Sequence, residues 1–332
     1  MRTPVSDPLR VGPYRIAGRL GSGGMGWVYL GRSRAGRAVA VKVVRPELAA
    51  DPEFRRRFAR EVAAARLVGG AFTAAVVDAD PEAELPWLAT AYVPGPALSE
   101  AVATDGPLTE DQARRLGAGL VEALQAIHAA GVVHRDLKPS NVLLAADGPR
   151  VIDFGISSVA GATGLTRAGA LMGTPPYMSP EQMTGAGGVG PASDVFSLGG
   201  VLVYAVTGRP PFGHGAGVAY RVVHAEPDLD DVPGELGALV AQCLAKEPGG
   251  RPALAALLAG LLGPDADEAR ALSWPPPTVA RRIRVRTGEL RARRVAEAGV
   301  SVPSCLRLHA QTLLEAGLTD AMVIEAVERA GL

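Results

Sequence analysis

A chain of 332 residues has room for one large two-lobed domain or two ordinary ones, each with a substantial core. Apolar residues make up 48% and charged ones 20%, which excludes a disordered chain, and Lys+Arg balances Asp+Glu at 34 each, which leaves no overall field to attract nucleic acid or acidic lipid. The two cysteines, Cys243 and Cys305, lie far apart and offer no disulfide framework, as in a reducing compartment. No apolar run follows the N-terminal Arg as in a secretory signal, and the longest apolar stretches, residues 195–206 and 253–262, fall short of the roughly 20 needed to cross a bilayer. A soluble, cytoplasmic protein is expected.

Residues 14–45 read as three strands (YRIAGRL, WVYLGRS and RAVAVKVV), with turns at the glycine run 21–26 and at residues 34–37. Asp51 is placed to N-cap a helix with Pro52 at its first position, running to Leu67 before Gly69 and Gly70. More strand-like sequence follows to Val93. Thr109-Glu-Asp-Gln112 is a capping box and opens a helix that runs to Gly131. Asp147-Gly148 marks a hairpin. The chain is thus mainly β, then mainly α from about residue 95. Beyond Leu262 the proline-stiffened stretch 273–278 leads into the Arg-rich residues 281–294, and Ser304 and Thr319 are N-cap candidates for a final helical pair.

The glycine-rich turn holds Gly21, Gly23, Gly24 and Gly26, so its backbone can bend tightly and bring N–H groups against phosphate oxygens. Taken alone it equally fits an ordinary hairpin; a dinucleotide site would need a helix after the last glycine, whereas Trp27-Val-Tyr-Leu30 favours a strand. Lys42 ends an apolar strand, and Glu61, nineteen residues on, sits in the helix capped by Asp51, where it can position a lysine held over phosphates. His134-Arg-Asp-Leu-Lys-Pro-Ser-Asn141 packs functional side chains more densely. Asp136 can accept the proton of a hydroxyl, Lys138 can neutralise a phosphoryl group, and Asn141 can offer an amide oxygen to Mg²⁺. Asp153, beside Phe154 and Gly155, ends the strand after the hairpin and can reach a metal that bridges two phosphates.

The ordered set GSGGMGWV, VAVK with Glu61, HRDLKPSN, DFG and GTPPYMSPE resembles the eukaryotic-type (Hanks-type) protein kinases, and the glycine loop and YMSPE are most similar to the bacterial, actinobacterial branch. The resemblance spans about residues 14–263 and implies an α+β, bilobal protein-kinase fold. It divides the chain into an N-terminal extension (1–13), a mainly β N-lobe (14–93), a mainly α C-lobe (94–263), a Pro-rich linker (264–280) and a helical C-terminal segment (281–332). It implies ATP in the cleft, Mg²⁺ on Asn141 and Asp153, Lys42 paired with Glu61, and Asp136 as catalytic base. Leu20, Val28, Ala40 and Leu143 match the positions that sandwich adenine, and Tyr92 and Val93 match the hinge. Glu181 is expected to pair with Arg251, and Asp194 to brace the catalytic loop.

Lys138, two residues after the base, and Thr174 match the serine/threonine rather than the tyrosine kinases. Arg135 implies a phosphate acceptor on residues 155–179, with Thr166 the best-placed site and Thr163 second. The alternative is a pseudokinase scaffold, which normally lacks one of Lys42, Asp136, Asn141 or Asp153; all four are present. The expected partners are protein Ser/Thr substrates, with self-association or protein docking through the C-terminal helices and no nucleic acid. Because the motif set is complete by Arg251, residues after 263 are expected to be dispensable for chemistry.

Overall fold

The computed structural model describes residues 7–153, 175–185, 188–263 and 274–297. The first part of the chain forms a six-stranded antiparallel sheet in the spatial order β1-β2-β3-β4-β6-β5, with β1 at Arg10–Val11, β2 at Tyr14–Ser22, β3 at Gly26–Arg32, β4 at Ala38–Val44, β5 at Val76–Asp80 and β6 at Trp87–Ala91. β4 shows why its sequence makes a strand: Val39, Val41 and Val43 are at most 4% exposed, packed with Tyr14, Tyr29 and Trp87, whereas Ala40 and Lys42 alternate to the other, half-open face. A short helix α1 (Pro46–Ala49) precedes α2 (Pro52–Ala65). Asp51 caps α2 as expected, accepting from the Glu53 N–H at 2.8 Å. Phe54, Phe58 and Val62, at helical spacing, bury that helix against Leu88.

The larger lobe is helical: α3 (Leu98–Asp105), α4 (Glu110–Ala129), α5 (Pro180–Thr184), α6 (Pro191–Thr207), α7 (Val218–His224), α8 (Gly234–Cys243) and α9 (Leu254–Leu262), with the hairpin β7 (Val142–Ala145) and β8 (Gly148–Val151) facing the small lobe. The box that opens α4 is formed in both directions, Gln112 N–H to Thr109 Oγ1 at 3.3 Å and Thr109 N–H to Gln112 Oε1 at 3.1 Å. α6 is buried on nearly every face, which explains its almost uninterrupted apolar sequence.

A buried ion pair locks this lobe. All five N–H donors of Arg251 are used: two on Glu181 at 2.7 and 2.8 Å, and three on the carbonyls of Ala245, Ala192 and Lys246. Its guanidinium also lies 5.0 Å from the Phe196 ring centroid. Burial opposes ionisation of Glu181, but hydrogen bonds from Arg251 and Ser193 outweigh it and hold the carboxyl at about 2 against an ordinary 4.5.

The C-terminal boundary differs from the sequence expectation. The last described helix, α10 (Pro277–Glu297), starts inside the stretch expected to be linker, because Pro277 fits a first helical turn, whose N–H groups have no partner within the helix. Val279 and Ile283 join the core of the large lobe at 1% and 9% exposure, and Trp274 Nε1 donates to the Ala145 carbonyl at 2.9 Å. The helices expected after Ser304 and Thr319 lie outside the described residues.

Because Glu181 is held below its unfolded value, its contribution is complete above about 4.5 and is lost as the pH falls towards 2. Arg251→Ala should cost about 3–5 kcal/mol at neutral pH, by leaving a buried carboxylate unpaired. It should also flatten the acid dependence. Urea unfolding of both proteins across that pH range measures the two effects.

Candidate active site

The strand register assembles the first part of the site. Gly21 pairs with Val28 across β2 and β3, Val28 with Lys42 across β3 and β4, and Ala40 with Thr90 across β4 and β6. One row of the sheet therefore carries a loop glycine, an apolar side chain and the lysine. Between them Gly23 and Gly26 exchange backbone hydrogen bonds at 2.9 and 3.3 Å and close the turn. The glycines divide by role. A Cβ on Gly21, Gly23 or Gly24 would meet no atom within 4 Å, whereas one on Gly26 would stand 1.9 Å from the Val43 carbonyl oxygen. The first three leave the loop's surface open; Gly26 lets β3 approach β4.

The motifs do not single out Arg45. Its guanidinium donates to the Gly23 carbonyl at 3.0 and 3.3 Å and lies 5.2 Å from the Trp27 ring centroid, so it holds down the tip of the loop. The only sequence signal is its place just after β4.

The apolar candidates keep part of their surface accessible. Leu20 is 46% exposed, and Val28, Ala40, Tyr92, Val93 and Leu143 are half-buried, while the strand neighbours Val39, Val41, Val142 and Leu144 are fully buried. Accessible apolar side chains beside an open glycine loop and a lysine are the groups that a flat heterocycle carrying phosphates requires.

Lys42 Nζ lies 3.2 Å from Asp153 Oδ2. Glu61, the partner that the resemblance implies for Lys42, is half-buried in α2. Ala65, one turn after Glu61, is 2% exposed and packs into the core of the large lobe.

The catalytic loop connects α4 to β7. Asp194, fully buried in α6, accepts the backbone N–H groups of His134 and Arg135 at 2.8 and 2.9 Å, and its Oδ2 is 2.7 Å from His128 Nε2. These bonds hold Arg135 in left-handed backbone at φ 67°, which costs a non-glycine residue about 1–2 kcal/mol. From the other side Gln182 Nε2 donates to the Arg135 carbonyl at 2.8 Å. Gln182 went unnoticed in the sequence; its capping-box spacing from Ser179 is the one signal that could have drawn attention to it. Beyond Arg135, the Lys138 ammonium is 2.7 Å from Asp136 Oδ2, and Asn141 Nδ2 donates to the Asp136 carbonyl at 2.8 Å. That bond fixes which end of the amide is the donor and leaves its oxygen for a cation. The Asn141 carbonyl accepts from the Ile152 N–H at 3.0 Å, tying the loop to the Asp153 segment, where Asp153 itself is left-handed at φ 59°. An amide oxygen and a carboxylate are the hard donors that Mg²⁺ takes. Thr163, Thr166 and Thr174 lie outside the described residues.

Residues 14–260 match the family model for the protein kinase domain. The chain belongs to the protein kinase family. It is 55% identical over 279 residues to the serine/threonine-protein kinase AfsK of Streptomyces coelicolor, covering 81% of this chain and 35% of that protein. It is 55% identical over 273 residues to the probable serine/threonine-protein kinase PkwA of Thermomonospora curvata, covering 82% of this chain and 36% of that protein. Against PknB of Mycobacterium tuberculosis the identity is 39% over 253 residues, 72% of this chain and 40% of the relative. The kinase domain therefore spans well under half the length of these curated relatives, and it is of the bacterial, actinobacterial type. The crystal structure of the Mycobacterium tuberculosis PknI kinase domain superposes with a TM-score of 0.63 at 25% identity, covering 80% of this chain and all of that one.

The two classes of glycine predict separable effects. Gly26→Ala should destabilise the small lobe by about 1–3 kcal/mol through overpacking against Val43. Gly24→Ala should leave the unfolding midpoint nearly unchanged and act on KM for ATP instead. Thermal melts beside steady-state kinetics separate the two.

Proposed function

We propose that this chain transfers the γ-phosphoryl group of ATP to serine and threonine hydroxyls of proteins, its own activation segment among them, in bacterial signalling. The observation that carries the reading is the Asp136–Lys138–Asn141 cluster, a carboxylate, an ammonium and an amide held within 2.7–2.8 Å contacts on one braced loop. Asp136 is the group that takes the acceptor's proton, and Lys138 beside it offsets negative charge on the phosphoryl group in transit. Lys42 orients the phosphates, and the glycine loop covers them. Glu61 is the residue that steadies Lys42. Leu20, Val28, Ala40 and Leu143 enclose the adenine, with Tyr92 and Val93 along its edge.

Asn141 and Asp153 would hold Mg²⁺, whose contribution is to neutralise charge on the phosphates. A pseudokinase is the weaker reading, because the chain retains every group that such proteins lose. The need for ATP puts the reaction in the cytoplasm, and no helix among the described residues is long and apolar enough to cross a membrane. Protein substrates are recruited from outside the cleft, and the residues after 297 are the segment we assign to docking or self-association.

Asp136→Asn should lower autophosphorylation by about 10²–10⁴-fold while ATP binding persists, since the lost group acts on the acceptor. Radiolabel transfer and calorimetric ATP titration read the two separately. A wild-type protein that binds ATP·Mg²⁺ but labels neither itself nor a generic basic substrate would reverse the choice in favour of the pseudokinase.

Thr166 is proposed as the principal activating phosphosite, with Thr163 secondary, because a phosphate there would meet Arg135. Mass-spectrometric mapping after incubation with ATP·Mg²⁺ should find Thr166 modified. Thr166→Ala should slow phosphorylation of an added substrate more than it weakens nucleotide binding. An unmodified Thr166 in fully active enzyme refutes the assignment.

A further inference from the structure

We infer that Arg286, far outside the kinase motifs, is a positioning residue for nucleotide binding, acting through the hinge; the inference rests on the ATP site proposed above. Arg286 Nη2 is 2.8 and 2.7 Å from the two carboxylate oxygens of Glu100 at the start of α3, and Nη1 of the same guanidinium donates to the Gly95 carbonyl, two residues after Val93. The guanidinium is planar, so the Glu100 contact on one nitrogen aims the other.

Gly95 is already pressed against the floor of the cleft. A Cβ there would stand 2.1 Å from the Leu144 carbonyl oxygen, the Leu144 N–H donates to the Pro96 carbonyl at 2.9 Å, and Ala97 bridges to Leu143. The chain leaving the hinge is thus held by β7 on one side and by Arg286 on the other. Val93 and Leu143 bound the adenine site proposed above, so this contact controls its width. The helix that carries Arg286 also reaches both lobes. Its start is buried in the large lobe through Val279 and Ile283, and further along the Leu290 carbonyl accepts from Arg32 Nη2 of β3 at 2.5 Å, Arg32 being 5% exposed. α10 therefore straps the hinge from lobe to lobe.

Arg282 lies one turn before Arg286 and supplies the control. It pairs with Glu100 at 3.0 Å and with Asp105 at 3.2 Å, and so docks the same helix without reaching the hinge carbonyl. The full chain is assayed as wild type, Arg286→Ala, Arg282→Ala and Lys42→Met, with ATP varied against a generic basic substrate and ATP affinity measured by calorimetry. Because the contact is partly exposed, Arg286→Ala should raise KM and Kd for ATP about three- to tenfold, with kcat and the KM for the protein substrate within about twofold. Arg282→Ala should leave the ATP constants within about twofold while lowering the melting temperature as much as Arg286→Ala does. Unchanged ATP constants in Arg286→Ala overturn the inference. An equal rise in Arg282→Ala also overturns it, since helix docking alone would then be responsible. If Arg286→Ala folds poorly, Arg286→Lys carries the test, because it keeps the charge beside Glu100 and loses the second nitrogen. If Lys42→Met binds ATP as wild type does, the nucleotide site itself is misplaced, and both readings fall.

Discussion

The Asp194 carboxylate is removed from solvent and surrounded by three donors, two of them backbone N–H groups of the loop that carries Asp136. The geometry of that loop depends on this. A loop that bends through a left-handed arginine would relax if released, and a buried carboxylate without its donors would carry a large desolvation penalty. Each problem removes the other: Asp194 stabilises the strained loop, and the loop satisfies Asp194. Gln182 adds a second hold on the Arg135 carbonyl and joins α5 to the same loop. Glu181, its neighbour in sequence, ties α5 to Arg251. Loop, helix and ion pair thus form one continuous network, and a change at Arg251 has a short path to Asp136.

The small lobe reaches its function by a different route, through register. No side chain network aligns Gly21, Val28 and Lys42; the pairing of β2, β3 and β4 does so, and a slip of one residue would turn Lys42 into the apolar layer beneath the sheet. The valines on the opposite face of β4 fix that register, and so the least functional residues of the strand set the position of the most functional one.

Much of this was legible in the sequence because it is local. The Asp51 cap, the Thr109 box, the Asp147-Gly148 hairpin and the alternation of β4 are each encoded within a few residues, and the spacing of the motifs carried the lobes and the candidate site residues. Contacts between distant segments were not legible. Arg45 on Gly23 and Gln182 on Arg135 leave no periodic or compositional trace. The contact of Lys42 with Asp153 was not legible either, since it depends on where β4 and the end of β8 come to rest. Nothing in the Arg-rich stretch tells its arginines apart; Arg281 and Arg284 are exposed, while Arg282 and Arg286 find acids 182 and 186 residues away.

The seating of Val279 and Ile283 also bears on where this domain ends. By similarity the kinase domain closes at residue 260, but the apolar core of the large lobe also takes in Val279 and Ile283. A fragment ending there would expose the apolar seat of α10 on the large lobe, together with the carboxylates of Glu100 and Asp105 beside it. An uncovered seat rimmed by acids is a site for a neighbouring molecule's basic amphipathic helix. Shortened versions would then tend to associate through the exposed seat, or to capture a helix from another protein, so their association state would report on the cut and not on the enzyme.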